Sequence, residues 1–219
     1  MAARLVIFDC DGVLVDSEPI SNRLLADALT EIGLPTSYEE ARARYVGRSM
    51  ASCMAMFEEQ LGHALPDTWL DDLQAKTFAR LKAEVQPVTG VENVIRHAQG
   101  QGLAICVASS GGLDKISLTL TATGLKPLFD PHIFSASMVD RGKPHPDLFL
   151  HAAAEMKVDP ADAIVIEDSV PGVTAAVAAG MAAFAYAGDP HADRDALEAA
   201  GGILFSSMAE IQAALNENG

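Results

Sequence analysis

From residue 86 onward, short apolar runs alternate with helix-length amphipathic stretches, and that alternation admits few architectures. The runs lie at 103–108, 133–134, 163–166, 183–186 and 203–205. Between them, segments near 113–123, 170–179 and 193–200 read as helices. Each is followed by a glycine, Gly124, Gly180 or Gly201, of the kind that closes a helix in the left-handed conformation. Strands separated in this way by helices are joined by crossovers and lie mainly parallel. One more run, Leu5-Val6-Ile7-Phe8, precedes them and has the length of a buried parallel strand. The expected class is therefore α/β, with a parallel-sheet core.

Residues 17–85 break the pattern. They hold no convincing strand but show helical periodicity in Leu24, Leu25, Ala28, Leu29 and Ile32, in Met50, Met54, Phe57 and Leu61, and in Leu70, Leu73, Phe78 and Leu81. An all-helical block is thus inserted after the first strand, with linkers near 16–19 and 83–88. The expected division is a core of 1–16 with 86–219 and a helical domain of 17–85. Such an insertion beside a strand-end site reads as a lid. The methionines at 50–57 read as packing rather than as ligand contacts.

Charge narrows the function. The formal net charge of −15 argues against nucleic acid or an anionic membrane as partner, since both need a positive footprint. No apolar stretch approaches the ~20 residues that span a bilayer. Met-Ala-Ala-Arg runs straight into the first strand and leaves no room for a signal peptide. Cys10, Cys53 and Cys106 show no metal-ligand spacing, and reduced cysteines in a cytoplasmic protein are expected. Cys10, flanked by acids that disfavour a thiolate, is not read as a nucleophile.

Chemistry is expected at the carboxyl ends of the strands. The first strand ends in Asp9-Cys10-Asp11-Gly12, and carboxylates two apart in extended chain share one space unless the chain turns between them. Two close like charges call for a cation or a split acid and base. A plain strand end with a turn is the alternative. After the run at 103–108 comes Ser109-Ser110-Gly111-Gly112, hydroxyl and N–H donors at the mouth of a helix, suited to phosphate or simply to capping. Gly142-Lys143-Pro144 fixes a lysine in a restricted turn. The run at 163–166 ends in Glu167-Asp168, a second acidic pair. His145 and His191 read as exposed loop residues.

In order and placement these four features resemble the motifs of the haloacid dehalogenase superfamily: Asp9-x-Asp11-Gly12 the first, Ser109 the second, Lys143 the third and Glu167-Asp168 the fourth. The helical block resembles that superfamily's first type of cap. The resemblance spans essentially the whole chain and implies a Rossmann-like core bearing the cap. It further implies Asp9 as the nucleophile that forms an aspartyl-phosphate, and Asp11 as acid and then base. Lys143, Ser109 and the backbone near Ser110 would hold the phosphoryl oxygens. Mg2+ would be held by Asp9, the Asp11 carbonyl and Asp168, with Glu167 beside it or one layer further out. In the cap, Gly47 and Arg48 fall where the family places a substrate-specificity loop; a solvated surface arginine is the alternative. Asp11 favours phosphate chemistry over dehalogenation. The stretch Glu18-Pro19-Ile20-Ser21-Asn22 lacks the histidine of β-phosphoglucomutases, which lowers a sugar phosphomutase below a phosphatase. The implied substrate is a small phosphate ester, a sugar or sugar-acid phosphate such as 6-phosphogluconate, and the implied enzyme a monomer or small homo-oligomer. A non-enzymatic phospho-acceptor or scaffold domain is the remote alternative.

Overall fold

The computed structural model describes residues 3–45 and 50–217. In chain order the elements are β1 (Leu5–Phe8), α1 (Glu18–Glu31), α2 (Tyr38–Tyr45), α3 (Met50–Leu61), α4 (Trp69–Glu84), α5 (Val91–Gly100), β2 (Ala104–Ser109), α6 (Leu113–Ala122) and α7 (Lys126–Phe129). They continue with β3 (Ile133–Ser135), α8 (Asp147–Glu155), β4 (Ala163–Glu167), α9 (Val170–Ala178), β5 (Ala182–Tyr186), α10 (Arg194–Ala199), β6 (Ile203–Phe205) and α11 (Met208–Glu217). The six strands form one sheet in the order β3-β2-β1-β4-β5-β6. Every neighbouring pair is parallel. The expected strands are all present, each within one residue of its predicted limits.

The chain divides into two compact units, Met1–Asp16 with Gln86–Gly219, and Ser17–Val85. In the first unit, β1 is central and all four of its residues are fully buried. Leu5 and Ile7 face one side of the sheet and share a core with Leu148, Phe149 and Ala152 of α8 and Val173 and Ala176 of α9. On the other side, Phe8 meets Phe129 of α7 edge to face, with ring centroids 5.6 Å apart. Burial of β1 on both faces is why it reads as a continuous apolar run rather than an alternating one. The strand order reverses direction at β1, between β2 and β4. In an open parallel sheet that reversal opens a crevice at the carboxyl ends of the strands, where ligands bind.

The helical unit builds its own core from Leu25, Leu29, Tyr45, Phe57, Trp69 and Leu73. Phe57 stacks edge to face with both Tyr45, at 4.9 Å, and Trp69, at 5.7 Å. Two of these aromatics, Tyr45 and Trp69, fall outside the aliphatic periodicity read from sequence, because each sits at a helix end. Met50, counted on the apolar face, is instead exposed. Among the described residues, no helix is long and apolar enough to cross a membrane. Cys10, Cys53 and Cys106 are all buried, and none forms a disulfide among the described residues.

Candidate active site

The strand register places the site. Phe8 pairs with Val107 of β2 and with Ile166 of β4, so Asp9, one step beyond, lies between the ends of both neighbours. Its N–H continues the ladder to the Ile166 carbonyl at 3.0 Å. The chain then turns. Gly12 donates to the Val15 carbonyl at 2.9 Å, and the N–H groups of Leu14 and Val15 both reach the Cys10 carbonyl. Gly12 has φ +79°, the left-handed region that glycine enters without penalty.

The two aspartates are held by different lysines. Lys143 Nζ donates to Asp9 Oδ1 at 2.5 Å, whereas Lys115 Nζ grips both oxygens of Asp11 at 2.8 and 2.9 Å. The turn between them takes the two carboxylates to different lysines, yet Asp11 still adds to the rise of the Asp9 carboxyl.

Lys143 is the hub. Its side chain is only 3% exposed, and its three donors go to Asp9, to the Ala108 carbonyl at 3.0 Å and to Glu167 Oε1 at 2.7 Å. An ammonium has three hydrogens, so this set is complete. The Phe149 ring lies 4.9 Å below it, a cation–π contact. Burial alone would lower the lysine's pKa, but Asp9 and Glu167 outweigh burial and hold the ammonium above its usual range. The loop carrying it is pinned by the Arg141–Asp147 fork, at 2.9 and 2.8 Å.

Glu167 is equally committed. Its second oxygen accepts from the N–H and the hydroxyl of Ser169 at 2.7 and 2.8 Å, and Ser169 in turn caps α9 by accepting from the Gly172 N–H at 3.2 Å. A Cβ on Gly172 would fall 1.8 Å from Glu167 Oε1, so only glycine fits beneath that carboxylate. Glu167 therefore anchors Lys143 and joins β4 to α9.

Asp168 lies against the turn of the first motif. A Cβ on Gly12 would meet its Oδ2 at 1.9 Å. Gly12→Ala thus combines a strained φ with displacement of Asp168. Since misplacing one group by about 1 Å can cost ~10²-fold in rate, the variant is expected to lose about a hundredfold in turnover. Steady-state kinetics at wild-type level would show that Asp168 need not occupy that position.

Ser109 is buried at the end of β2. Its Oγ accepts from the Gly111 N–H at 3.1 Å, and the Gly111 carbonyl accepts from Ser135 Oγ at 2.7 Å. Ser110 is exposed beside it. His145 and His191 are exposed loop residues, as expected. Gly47 and Arg48 lie outside the described residues. Burial, then the neighbouring Asp11 and Asp9, push the Cys10 thiol up, so it stays protonated.

Lys115 and Ser169 are side chains of the candidate site that sequence reading missed. Ser169 carried a signal, a serine between a strand and a helix with proline in its first turn. Lys115 carried none, since its partner lies 104 residues away.

The charge balance bears on a metal. The carboxylates of Asp9, Asp11 and Glu167 meet two ammonium groups, Lys143 and Lys115, so three acids rest on two cations, an imbalance that a further cation would offset. Asp9 registers the imbalance. Burial pushes its carboxyl up from 3.8 to about 7, with Lys143 opposing and Glu167 and Asp11 adding to the rise. Among the described residues, no three Asp, Glu, His or Cys side chains converge as a ready ligand group. Mg2+ needs fewer, because it keeps several waters and takes one or two carboxylates. An all-oxygen donor set carrying surplus negative charge fits it.

A parallel sheet with two acids and two lysines gathered at its central strand end has the layout of a hydrolase site. The comparisons agree: a family model described as haloacid dehalogenase-like hydrolase matches residues 3–180, and the chain belongs to that family. It is 30% identical over 187 residues to the 6-phosphogluconate phosphatase of Escherichia coli (strain K12), covering 85% of this chain and 83% of that protein. It is 29% identical over 211 residues to hexitol phosphatase B of the same organism, covering 94% and 93%. Among solved structures, a HAD family hydrolase from Deinococcus radiodurans R1 with bound phosphate and sodium superposes with a TM-score of 0.85 at 33% identity, covering 99% of this chain and 96% of that one.

Proposed function

We propose that the protein is a Mg2+-dependent phosphatase that hydrolyses a small sugar or sugar-acid phosphate through an aspartyl-phosphate on Asp9. The observation that carries this reading is the Asp9–Lys143 pair at the end of the central strand. It is a buried carboxylate with one oxygen fixed by an ammonium, at the carboxyl-end crevice of a parallel sheet where ligands bind. Kinship with phosphatases of 6-phosphogluconate and hexitol phosphates supports the substrate class.

Asp9 attacks phosphorus, and Lys143 holds its carboxylate oriented and compensates part of the charge that would otherwise repel the phosphoryl oxygens. The Ser109 hydroxyl and the backbone at Ser110 orient those oxygens. Asp11 gives its proton to the departing alkoxide and later takes one from the water that cleaves the acyl phosphate. Asp9, Asp168 and the Asp11 carbonyl would hold Mg2+, which supplies charge neutralisation of the phosphoryl group and of Asp9 itself, with Glu167 acting beside it through Lys143. The helical unit Ser17–Val85 serves as the cap that selects the substrate. With its three cysteines reduced, the enzyme would work in the cytoplasm.

The test is phosphate release from phosphorylated sugars, sugar acids and polyols, with Mg2+ and with EDTA. Metal-dependent release from members of the panel is the expected result. Isomerised sugar phosphate without net release, appearing only when a bisphosphate is added, would move the assignment to a mutase.

Metal binding has its own readout. A ligand that binds only the native state stabilises it by ~2.7 kcal/mol at a hundred times its Kd, and a protein of this size gains ~2–4 °C per kcal/mol. Saturating Mg2+ is therefore expected to raise Tm by about 5–10 °C, and Asp168→Asn to abolish most of that rise. An undiminished rise in the variant would remove Asp168 from the metal site.

A further inference from the structure

We infer that Lys115 is a positioning residue for Asp11, fixing the direction of the carboxylate that serves as acid and base; the inference rests on the phosphatase reading. Lys115 stands in the first turn of α6, the helix that follows the loop at 109–112. Its ammonium takes both Asp11 oxygens, at 2.8 and 2.9 Å. The same carboxylate lies against that loop: a Cβ on Gly111 would be 3.8 Å from Asp11 Oδ2 and 3.5 Å from Ser109 Oγ. The acid is thus turned toward the loop that holds the phosphoryl group.

The backbone of Asp11 does not need this lysine. The turn is closed by Gly12, Leu14 and Val15 through their own N–H groups. What Lys115 adds is the side-chain direction, because two-point contact by one ammonium removes the rotation that an aspartate otherwise keeps. The pair is also unlike the surface ion pairs of the molecule. The side chains of Lys115 and Asp11 are 27% and 28% exposed, against 54% and 63% for Lys76 and Glu31, so water competes less for the contact.

An acid held toward the leaving oxygen matters most when the leaving group is a poor one. Alkoxides need the proton, and nitrophenolate does not. The ratio kcat/KM reports events up to cleavage of the ester bond, so it isolates this step from later hydrolysis of the acyl phosphate. General acids contribute ~10²–10⁴-fold. Lys115→Met is expected to lower kcat/KM about thirtyfold or more for an alkyl phosphate, and less than about threefold for p-nitrophenyl phosphate. Inhibition by inorganic phosphate should be unchanged, and Lys115→Arg should recover most of the alkyl activity.

Equal losses on the two esters, or weaker inhibition by phosphate, would overturn the inference and make Lys115 a direct phosphate contact or a structural residue. Should Lys115→Met fold poorly, Lys115→Gln in the wild-type and Asp11→Asn backgrounds gives the same decision. The lysine change should cost nothing further on the alkyl ester once Asp11 is gone, and an additive loss would overturn the inference. Wild-type protein that releases no phosphate from either ester with Mg2+ would instead defeat the phosphatase reading itself, which keeps the two failures apart.

Discussion

Asp9→Asn is expected to leave a folded protein whose steady-state phosphatase turnover falls on the order of 10⁴-fold or more. An amide cannot form the acyl phosphate, and Cys10 beside it does not stand in, being buried with its thiol pushed up. Stability should move the other way. Lys143 faces two buried carboxylates, Asp9 and Glu167, and the neutral amide keeps the shape of one while removing the surplus charge. The sign follows from the position of the carboxyl. In the unfolded chain Asp9 ionises near 3.8, whereas in the folded protein it keeps its proton to about 7. Its contribution to metal-free stability is therefore full below 3.8, falls as pH rises, and is lost once pH passes about 7. Thermal unfolding in EDTA from pH 4 to pH 8 should show wild type losing ground to Asp9→Asn up to about pH 7, with a constant difference above it. Parallel curves would mean that Asp9 ionises normally in the folded protein, and measurable turnover by a clean preparation of the variant would remove it as nucleophile.

The same surplus charge explains how much of this molecule could be read from its sequence. Strand positions were legible because burial on both faces writes itself as apolar runs, as in Leu5 to Phe8 and Ala163 to Ile166. The helices at 113–123, 170–179 and 193–200 were legible from their closing glycines. The strand-end location of Asp9, Ser109 and Glu167 followed, since it depends only on where an apolar run stops. Partners were not legible. Asp11 and Lys115 meet because the strand ends at Phe8 and the chain turns at Gly12, and neither periodicity nor spacing encodes which of fifteen basic residues will reach that turn. The family resemblance set Glu167 beside the metal or one layer out, and its carboxylate lies over Gly172 and on Lys143. Successive residues leaving a strand point in opposite directions, so adjacency in sequence separates two acids that the motif writes side by side. In the helical unit, Tyr45 and Trp69 were missed for a related reason: they pack through helix ends, where a 3.6-residue repeat has no further turn to confirm it.

Lys143→Met should be the most damaging single substitution in both stability and activity. It removes the ammonium that pairs with both Asp9 and Glu167 and leaves those two buried carboxylates without it. Breaking a buried pair by deleting one partner costs ~3–5 kcal/mol, which for a chain of this length corresponds to a Tm lower by about 10 °C. Phosphatase activity should vanish with it, because Asp9 loses both its orientation and the charge that lets it approach an anionic phosphate as an anion. The double variant Lys143→Met with Glu167→Gln separates the two effects. Neutralising Glu167 removes one uncompensated charge while Ser169 can still donate to the amide oxygen, so a large part of the lost Tm should return. Activity should not, since nothing in the double variant restores a cation beside Asp9. Recovery of turnover together with Tm would mean that Lys143 acts only as a strut between β4 and the loop at 142–144. A Tm unchanged in the single variant would mean that the carboxylates relax to other partners, and that the pairing at Lys143 does not hold the site together.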